Sequence, residues 1–208
     1  YREPRMRWLA GEKNTETIHT ENRCSFRLDV TRIMLSKGNL SERARVPRLV
    51  EEGEVIVDMF AGIGYFSVPI ARHASPGRIY AIEKNPLSFR YLRENIRLNG
   101  VQDVIIPILG DCREIRMGNI ADRIIMGYLP RTDRFLRTAF EALKPQGGII
   151  HYHDTFVEDE LWEKPLDILE RAGFRAGYNI KKVRYKSVVK EYAPRIYHVV
   201  MDAEFNKL

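Results

Sequence analysis

From Val55 onward the sequence alternates short apolar runs with helical patterns, and this alternation constrains the fold more than any other feature. The apolar runs, rich in Val and Ile, predict strands at 55–58, 78–83, 104–109, 123–126 and 148–152. The stretches between them predict helices at 64–73, 87–99, 132–143 and 159–172. Strands that alternate with helices indicate a parallel sheet with helices on both faces.

The first part of the chain follows a different pattern, in which polar and apolar residues alternate. This pattern predicts three short strands, at 5–9, 15–19 and 24–30, joined by turns at Gly11 and Asn22. We therefore expect residues 1–38 to form a small β-rich segment, a remnant of or link to an upstream RNA-binding part. The chain begins with a tyrosine and not with Met, so an upstream part is expected.

Residues 39–208 are predicted to form one Rossmann-like domain. A charged helix is expected from about Ser41, with Ser41 as its N-cap. Residues 175–184 and 195–205 predict two strands with no helix between them, and hence an antiparallel closing pair. The predicted fold class is α/β: a mostly parallel twisted sheet of the class I methyltransferase type with antiparallel closing strands.

A glycine loop, Asp58-Met-Phe-Ala-Gly-Ile-Gly64, follows the first strand of the parallel series and precedes a helix. Gly62 and Gly64 allow the backbone to approach a ligand closely. Ser67 stands where the third glycine of a dinucleotide fingerprint would be. A dinucleotide needs its pyrophosphate at the helix N-terminus, whereas a nucleoside without phosphate does not. The shortened motif therefore favours S-adenosylmethionine over NAD.

Two acidic residues stand at the ends of the next two strands. Glu83 lies about 20 residues after the loop, where a carboxylate can bind ribose hydroxyls. Asp111, in Gly110-Asp111-Cys112, is placed to accept the adenine amino group while the next backbone amide donates to the ring. Either acid alone can be a solvated loop residue or a helix cap. The glycine loop, Glu83 and Asp111 together place suitable residues at three strand ends, and this favours one cofactor site.

The composition is that of a globular protein with an excess of basic residues. Lys and Arg number 34 against 28 Asp and Glu, a net charge of +6. This excess favours a polyanionic partner without requiring one. Cys24 and Cys112 match no metal-ligand spacing and are interpreted as reduced thiols, so a cytoplasmic location and no metal are expected. No apolar run approaches the roughly 20 residues of a membrane span, and we expect a monomer.

The fourth parallel strand ends in Met126-Gly-Tyr-Leu-Pro130, the strand end that faces the reacting sulfonium in this fold. Tyr128 is predicted to stack on a base, although it can also be a core cap. Tyr128 and Pro130 are therefore the predicted positioning residues of the reaction, with no firm general base. His151, His153 and Asp154 end the fifth strand and are available for late proton removal.

The motif Val57–Ser67, with Ser41-Glu42-Arg43 before it and Tyr192-Ala-Pro-Arg195 near the end, resembles one archaeal and eukaryotic group of tRNA-modifying enzymes. That group contains the tRNA guanosine-37 N1-methyltransferases and the wybutosine-pathway aminocarboxypropyltransferases. The likeness extends over nearly the whole chain from residue 20 onward. It implies an S-adenosylmethionine-dependent enzyme that acts at position 37, in the anticodon stem-loop of a tRNA.

At two positions this sequence differs from the methyltransferases, and these differences favour the other members of the group. The methyltransferases resemble one another in having Asn-Leu-Pro or Asn-Pro-Pro at 128–130, where this chain has Tyr128. They also carry Ser-Pro-Arg in the connector, where this chain has Ser36-Lys-Gly-Asn39, which is similar to the aminocarboxypropyltransferases. The resemblance then implies transfer of the 3-amino-3-carboxypropyl group to C7 of 4-demethylwyosine in tRNA(Phe). N1-methylation of guanosine 37 and an RNA-binding subunit with a vestigial cofactor fold are the alternatives.

Aminocarboxypropyl transfer requires the methionine carboxylate to be anchored so that the γ-carbon is open to attack. Arg43 and Ser36 are the candidates, since a guanidinium binds a carboxylate bidentately; for Arg43 the alternative is a helix-surface charge. The predicted cofactor residues are Ser36, Arg43, Asp58, Phe60, Ala61, Gly62, Gly64, Glu83, Lys84, Asp111, Cys112 and Tyr128.

Basic residues in two clusters are predicted to bind RNA by phosphate contact, with neighbouring tyrosines available for base stacking. One cluster is a row at helical spacing on one face, which can also be a solvated surface. The other interleaves basic residues with Tyr185 and Tyr192: Lys181, Lys182, Arg184, Lys186 and Lys190. The predicted RNA-binding residues are Arg131, Arg134, Arg137, Lys181, Lys182 and Lys186.

Overall fold

The computed structural model describes residues 4, 6–35 and 37–208. Its main sheet has seven strands in the order β5-β4-β3-β6-β7-β9-β8. The strands are β3 (Val55–Asp58), β4 (Arg78–Glu83), β5 (Ile105–Leu109), β6 (Arg123–Met126), β7 (Gly147–Val157), β8 (Tyr178–Ala193) and β9 (Ile196–Lys207). The strands from β5 to β7 are parallel, and β9 and β8 continue the sheet in antiparallel pairing. The predicted fold class is confirmed.

Helices cover both faces of the sheet. They are α1 (Leu40–Arg45), α2 (Ser67–His73), α3 (Pro86–Leu98), α4 (Leu136–Ala142) and α5 (Glu163–Ala176). One apolar cluster packs β3 and β4 against α2 and α3, with Ile56 and Leu92 fully buried. A second packs β6, β7 and β9 against α4 and α5, with Phe140 and Phe205 in edge contact.

Several helix bounds differ from the sequence prediction. Ser41 is not an N-cap, because α1 already begins at Leu40. The second helix begins at Ser67 and not at residue 64, because Gly62 and Gly64 have positive φ and extend the loop. Asn85 caps α3, its side chain accepting from the Leu87 amide at 2.9 Å.

The two strands that close the sheet are longer than predicted. β8 begins at Tyr178 and runs to Ala193, and β9 runs from Ile196 to Lys207. β8 is the edge strand and its pairing with β9 has four register shifts. Such bulges bend an edge strand and re-aim its side chains, and Lys190 of β8 lies against Gly38, which precedes α1.

A separate two-stranded hairpin, β1 (Glu16–Glu21) and β2 (Cys24–Asp29), precedes the main sheet. Phe26 and Leu28 are fully buried in the same cluster as β3 and β4. The strand expected at 5–9 is wrong: residues 6–9 pair with no strand among the described residues, and Trp8 and Leu9 are largely exposed. Among the described residues, no helix combines the length and apolar character needed to cross a bilayer. The division at residue 38 stays a prediction.

Candidate functional site

The carboxyl ends of the central parallel strands open into a cavity of about 750 Å³. In open α/β sheets, ligands bind outside this edge. One side of the cavity, the adenosine end, is formed by the glycine loop with Glu83 and Asp111. Another part of the lining, the connector end, is formed by Asn39 and Arg43 and by Lys190 of β8, whose side chain lies against Gly38.

The glycine loop presents backbone to the cavity at Gly62, which lines it with φ of +59°. Gly64, at φ +101°, lies behind the loop: a Cβ there would stand 2.7 Å from a methyl group of Val68. Ala61 is buried, and its amide donates to the Ile82 carbonyl at 2.8 Å. Gly64 and Ala61 therefore shape the loop without lining the cavity.

Asp58 lies beneath the loop and does not line the cavity. It is fully buried, accepting from the Ser67 hydroxyl at 2.7 Å and from the Phe60 amide at 3.3 Å. Burial raises the pKa of Asp58 to about 6. The observed contacts make it a residue that holds the turn and the start of α2 together.

Glu83 lines the cavity beside the loop. Its carboxylate accepts from the Gly62 amide at 2.8 Å and from the Asn85 amide at 2.6 Å. Burial raises the pKa of Glu83 against these stabilising hydrogen bonds. The carboxylate is thus held at the end of β4 by two backbone donors, the position predicted for contact with ribose.

Asp111 is the centre of a charged group in the cavity wall. It receives hydrogen bonds from Arg113 at 2.6 Å and from the Lys84 ammonium at 2.7 Å. The Arg113 hydrogen bond is the main reason that the pKa of Asp111 lies well below its usual range. Burial raises the pKa of the neighbouring Cys112 thiol to about 12, so the thiol is neutral. Arg113 was not predicted from the sequence.

Three aromatic rings form a wall at the end of β6. Tyr128 is 36% exposed and stacks on Phe60 with ring centroids 5.0 Å apart. Phe135, which sequence reasoning missed, packs its edge against both rings. Pro130 is exposed and does not line the cavity. The wall offers a flat apolar surface beside the place where the sulfonium is expected.

At the connector end, Arg43 lines the cavity but is only 2% exposed. Its Nη1 donates to both carboxylate oxygens of Glu21, at 2.8 and 3.1 Å, and its guanidinium lies 4.1 Å from the ring centre of Tyr65. It is thus a buried, charge-balanced residue and not a helix-surface charge. Ser36, the other predicted carboxylate ligand, lies outside the described residues.

Asn39, Lys190 and Tyr192 also line the cavity and were absent from the predicted cofactor set. The only sequence signals were Gly38-Asn39 in the connector and the Tyr192-Ala-Pro-Arg motif near the end of the chain. Neither signal indicates a contact between segments so far apart in sequence.

The predicted RNA-binding residues are exposed but do not form one surface with a single role. Arg131 precedes a 3₁₀ turn that holds Arg134, and Arg137 lies on α4, so the row is not one continuous α-helical face. Arg137 pairs with Glu141 at 2.8 Å, and Lys181 pairs with Glu204 at the same distance. Lys182 lines a second cleft with Arg184, and Lys186 lies over the Trp162 ring.

The polar residues of β7 lie outside the cavity. His151 is fully buried and bonds to Asp202 at 2.7 Å, while His153 bonds to His198 at 3.0 Å. Asp154 accepts from the Arg131 and Thr132 amides and thereby caps the 3₁₀ turn. These contacts are structural. Among the described residues, no cluster of His, Cys, Asp and Glu is suited to hold a metal ion.

The glycine loop, the acids after β4 and β5, and the parallel sheet with its antiparallel end define a class I, S-adenosylmethionine-binding transferase. The model of the TRM5/TYW2 methyltransferase domain matches residues 17–181. The chain belongs to this family.

Similar proteins come from both branches of the family. A tRNA(Phe) (4-demethylwyosine(37)-C(7)) aminocarboxypropyltransferase of Methanocaldococcus jannaschii is 47% identical over all of this chain and 82% of its own length. The crystal structure of M. jannaschii TYW2 in complex with AdoMet superposes with a TM-score of 0.93 at 46% identity, covering 97% of this chain and 90% of that one. A tRNA (guanine(37)-N(1))-methyltransferase Trm5b of Pyrococcus abyssi is 40% identical over 97% of this chain and 59% of its own length.

Proposed function

We propose that this enzyme transfers the 3-amino-3-carboxypropyl group of S-adenosylmethionine to C7 of 4-demethylwyosine at position 37 of tRNA(Phe). The observation that carries the proposal is the 47% identity to an aminocarboxypropyltransferase across the whole chain. The new bond joins C7 to the γ-carbon, the bond from sulfur to that carbon breaks, methylthioadenosine leaves, and the C7 proton is lost. The sulfonium supplies the electrophilic carbon.

The residues of the cavity support this chemistry by positioning. Glu83 and Asp111 hold the adenosine, and the Tyr128–Phe60–Phe135 wall supports the flat acceptor base beside it. Arg43 and Ser36 are proposed ligands of the methionine carboxylate. Holding both reactants in line makes the attack effectively unimolecular, and an electron-rich ring carbon needs no strong general base.

N1-methylation of guanosine 37 is the alternative within the family. The family's methyltransferases resemble one another in an Asn at 128 that holds the guanine edge, and this chain has Tyr128 there. Its ring stacks on Phe60 and presents no amide. The pair Gly38-Asn39 in the connector favours the same choice.

A cofactor labelled separately in its methyl group and its carboxyl group distinguishes the two activities. Carboxyl label should enter tRNA that carries 4-demethylwyosine, and methyl label should leave with methylthioadenosine. Mass analysis of the nucleoside at position 37 gives the same answer without label. Methyl label in the tRNA, with guanosine 37 as acceptor, contradicts the proposal and establishes the methyltransferase.

The non-enzymatic alternative is an RNA-binding subunit with a vestigial cofactor fold. The intact adenosine end disfavours it. Gly62, Glu83 and Asp111 all line one cavity, with Glu83 bonded to the Gly62 amide. Calorimetry with S-adenosylmethionine tests it, since a vestigial site does not bind the ligand.

The tRNA is proposed to dock through its anticodon stem-loop on the rim beside Tyr128. Arg131, Arg134 and Arg137 next to this rim, and Lys181, Lys182 and Lys186 on β8, are the proposed phosphate contacts. We propose a cytoplasmic monomer. Footprinting of the stem-loop and the sedimentation of the free protein test these two points.

A further inference from the structure

Lys190 reaches the cavity from the edge strand β8 although it is distant in sequence from the glycine loop. The pairing of β8 with β9 shifts register between Val188 and Lys190. A bulge at this point turns the following side chain, and Lys190 lines the connector end together with Asn39 and Arg43. The bulge therefore delivers a cation to one particular corner of the cavity.

Gly38 packs directly against the side chain of Lys190. A Cβ at Gly38 would overlap Cδ of Lys190 and lie 2.9 Å from its Nζ. The backbone of Gly38 does not have the positive φ that requires glycine. A side chain at residue 38 would thus require the outer end of the Lys190 side chain to move.

Asn39 places an acceptor without a donor in the same corner. Its Oδ1 is buried and accepts no hydrogen bond within the described part of the chain. A buried polar atom is normally hydrogen-bonded. The corner thus contains an ammonium donor and, beside it, an acceptor that needs a donor, which is the arrangement that recognises a zwitterionic amino acid.

Arg43 is the neighbouring cation, but its Nη1 is engaged by both oxygens of Glu21, which is 8% exposed. This pair already balances its charge in a buried place. Lys190 comes from a different element and brings a further positive charge to the same end.

We propose that Lys190 is a further ligand of the α-carboxylate of the S-adenosylmethionine methionine chain, in addition to those proposed above, and that Asn39 Oδ1 accepts from its α-ammonium. Gly38 is the residue that admits Lys190. The proposal rests on the proposed function for its consequence: a methionine chain held at this corner leaves its γ-carbon open toward the acceptor base.

The first experiment compares three ligands in calorimetry: S-adenosylmethionine, its decarboxylated form and methylthioadenosine. Lys190→Ala should lower the affinity for S-adenosylmethionine about 10- to 100-fold, the range expected for the loss of a charge-assisted hydrogen bond. The affinities for methylthioadenosine and for the decarboxylated form should change by less than about twofold, since neither ligand has the carboxylate. Lys164→Ala, on the exposed face of α5, is the control and should change none of the three.

Asn39→Ala gives a different pattern if Oδ1 binds the ammonium. It should lower the affinities for both S-adenosylmethionine and the decarboxylated form about 5-fold and leave the affinity for methylthioadenosine unchanged. The two variants thus separate the carboxylate contact from the ammonium contact on the same three ligands.

Gly38→Ala tests whether the glycine acts through the lysine. Alone it should weaken S-adenosylmethionine, because its methyl group displaces Lys190. In the Lys190→Ala background it should add less than about twofold, since coupled sites are not additive.

Equal losses of S-adenosylmethionine and methylthioadenosine in Lys190→Ala would show a general change of the cavity and overturn the proposal. Unchanged affinity for S-adenosylmethionine would overturn it as well, and so would a full additive loss in the double variant. The identity of the transferred group is read separately, from the nucleoside at position 37. Methyl transfer with the predicted binding pattern would contradict the proposed function and leave the zwitterion site standing.

Discussion

The adenosine end and the connector end line one cavity and are proposed to contact parts of one ligand, yet they are assembled from different information in the sequence. Gly62 and Asp111 follow strands of one parallel sheet and Glu83 ends another, so the topology brings them to a common edge. Gly38 and Lys190 come from opposite ends of the chain and meet because the closing hairpin bends back.

This difference separates recognition of the cofactor from the choice of the transferred group. An adenosine end is common to enzymes that move any of the carbons on the sulfonium. In our proposal the direction of the methionine chain is set at the connector end, where Lys190 and Asn39 bind the amino acid. We therefore expect adenosine-end variants to affect every adenosine ligand, and connector-end variants to affect only ligands that retain the amino acid.

The largest effect is expected for Glu83→Ala. The loss of hydrogen bonds from two ribose hydroxyls to a carboxylate should weaken S-adenosylmethionine about 300-fold, and methylthioadenosine by the same factor. Calorimetry with both ligands measures this, with Glu170→Ala on the surface of α5 as the control. A loss restricted to S-adenosylmethionine would contradict the division of the cavity into two ends.

The adenosine end could be predicted because its signals are local. A short apolar run followed by Gly62 or by an acid identifies a strand and its carboxyl end. In a parallel sheet these ends lie at the same edge, so the residues are expected to line one site. Local reasoning was less successful for the orientation of each side chain. Asp58 and Gly64 belong to the motif, but the first bonds to Ser67 beneath the loop and the second packs on Val68.

The connector end could not be predicted because it depends on tertiary structure. Nothing in the run Lys186–Tyr192 indicates where the bulges of β8 fall, and these bulges aim Lys190. The strand expected at 5–9 failed for a related reason. Its alternation of polar and apolar residues satisfies the pattern of a strand, but in the part of the chain that the structure describes residues 6–9 pair with no strand.

The second largest effect tests what holds the connector end in place. Asp202 of β9 accepts from Arg45 of α1 at 2.6 Å and from His151 at 2.7 Å, and it is buried. Asp202→Asn leaves Arg45 with a weaker partner and should lower the free energy of unfolding by about 2 kcal/mol. It should weaken S-adenosylmethionine more than methylthioadenosine, because α1 carries the connector. Denaturant melts and calorimetry measure the two effects.

The same variant has a defined pH dependence. Burial alone would raise the pKa of Asp202, but His151 and Arg45 outweigh it and hold the pKa well below its usual range. A carboxylate with a lowered pKa stabilises the fold above its unfolded pKa of about 4, and this contribution is lost as the pH falls below that value. The gap in stability between wild type and Asp202→Asn should therefore shrink from pH 6 toward pH 3. A constant gap would contradict this account.

A smaller effect is expected at the aromatic wall, which lines the same cavity. Tyr128→Ala removes the ring that stacks on Phe60 and should raise the KM for tRNA about 10-fold, the value of one base-stacking contact. Affinity for S-adenosylmethionine should change little. Tyr128→Phe keeps the ring and should behave as wild type. A strong loss in Tyr128→Phe would assign the role to the hydroxyl instead of the ring.

The smallest effect concerns the basic rim outside the cavity, where Arg134 and Arg137 differ in their partners. Arg137 pairs with Glu141 at 2.8 Å, whereas the structure gives Arg134 no ion pair among the residues it describes. A phosphate must compete with Glu141 for Arg137 but not for Arg134. Arg134→Ala should lower the affinity for tRNA about 3-fold and reduce the slope of log affinity against log salt concentration by about 1. Arg137→Ala should have smaller effects on both. Binding isotherms at several salt concentrations measure both, and cofactor affinity should stay constant, because neither arginine reaches the adenosine end or the connector end. Equal losses in the two variants would show that the Glu141 pair does not restrain Arg137 at all.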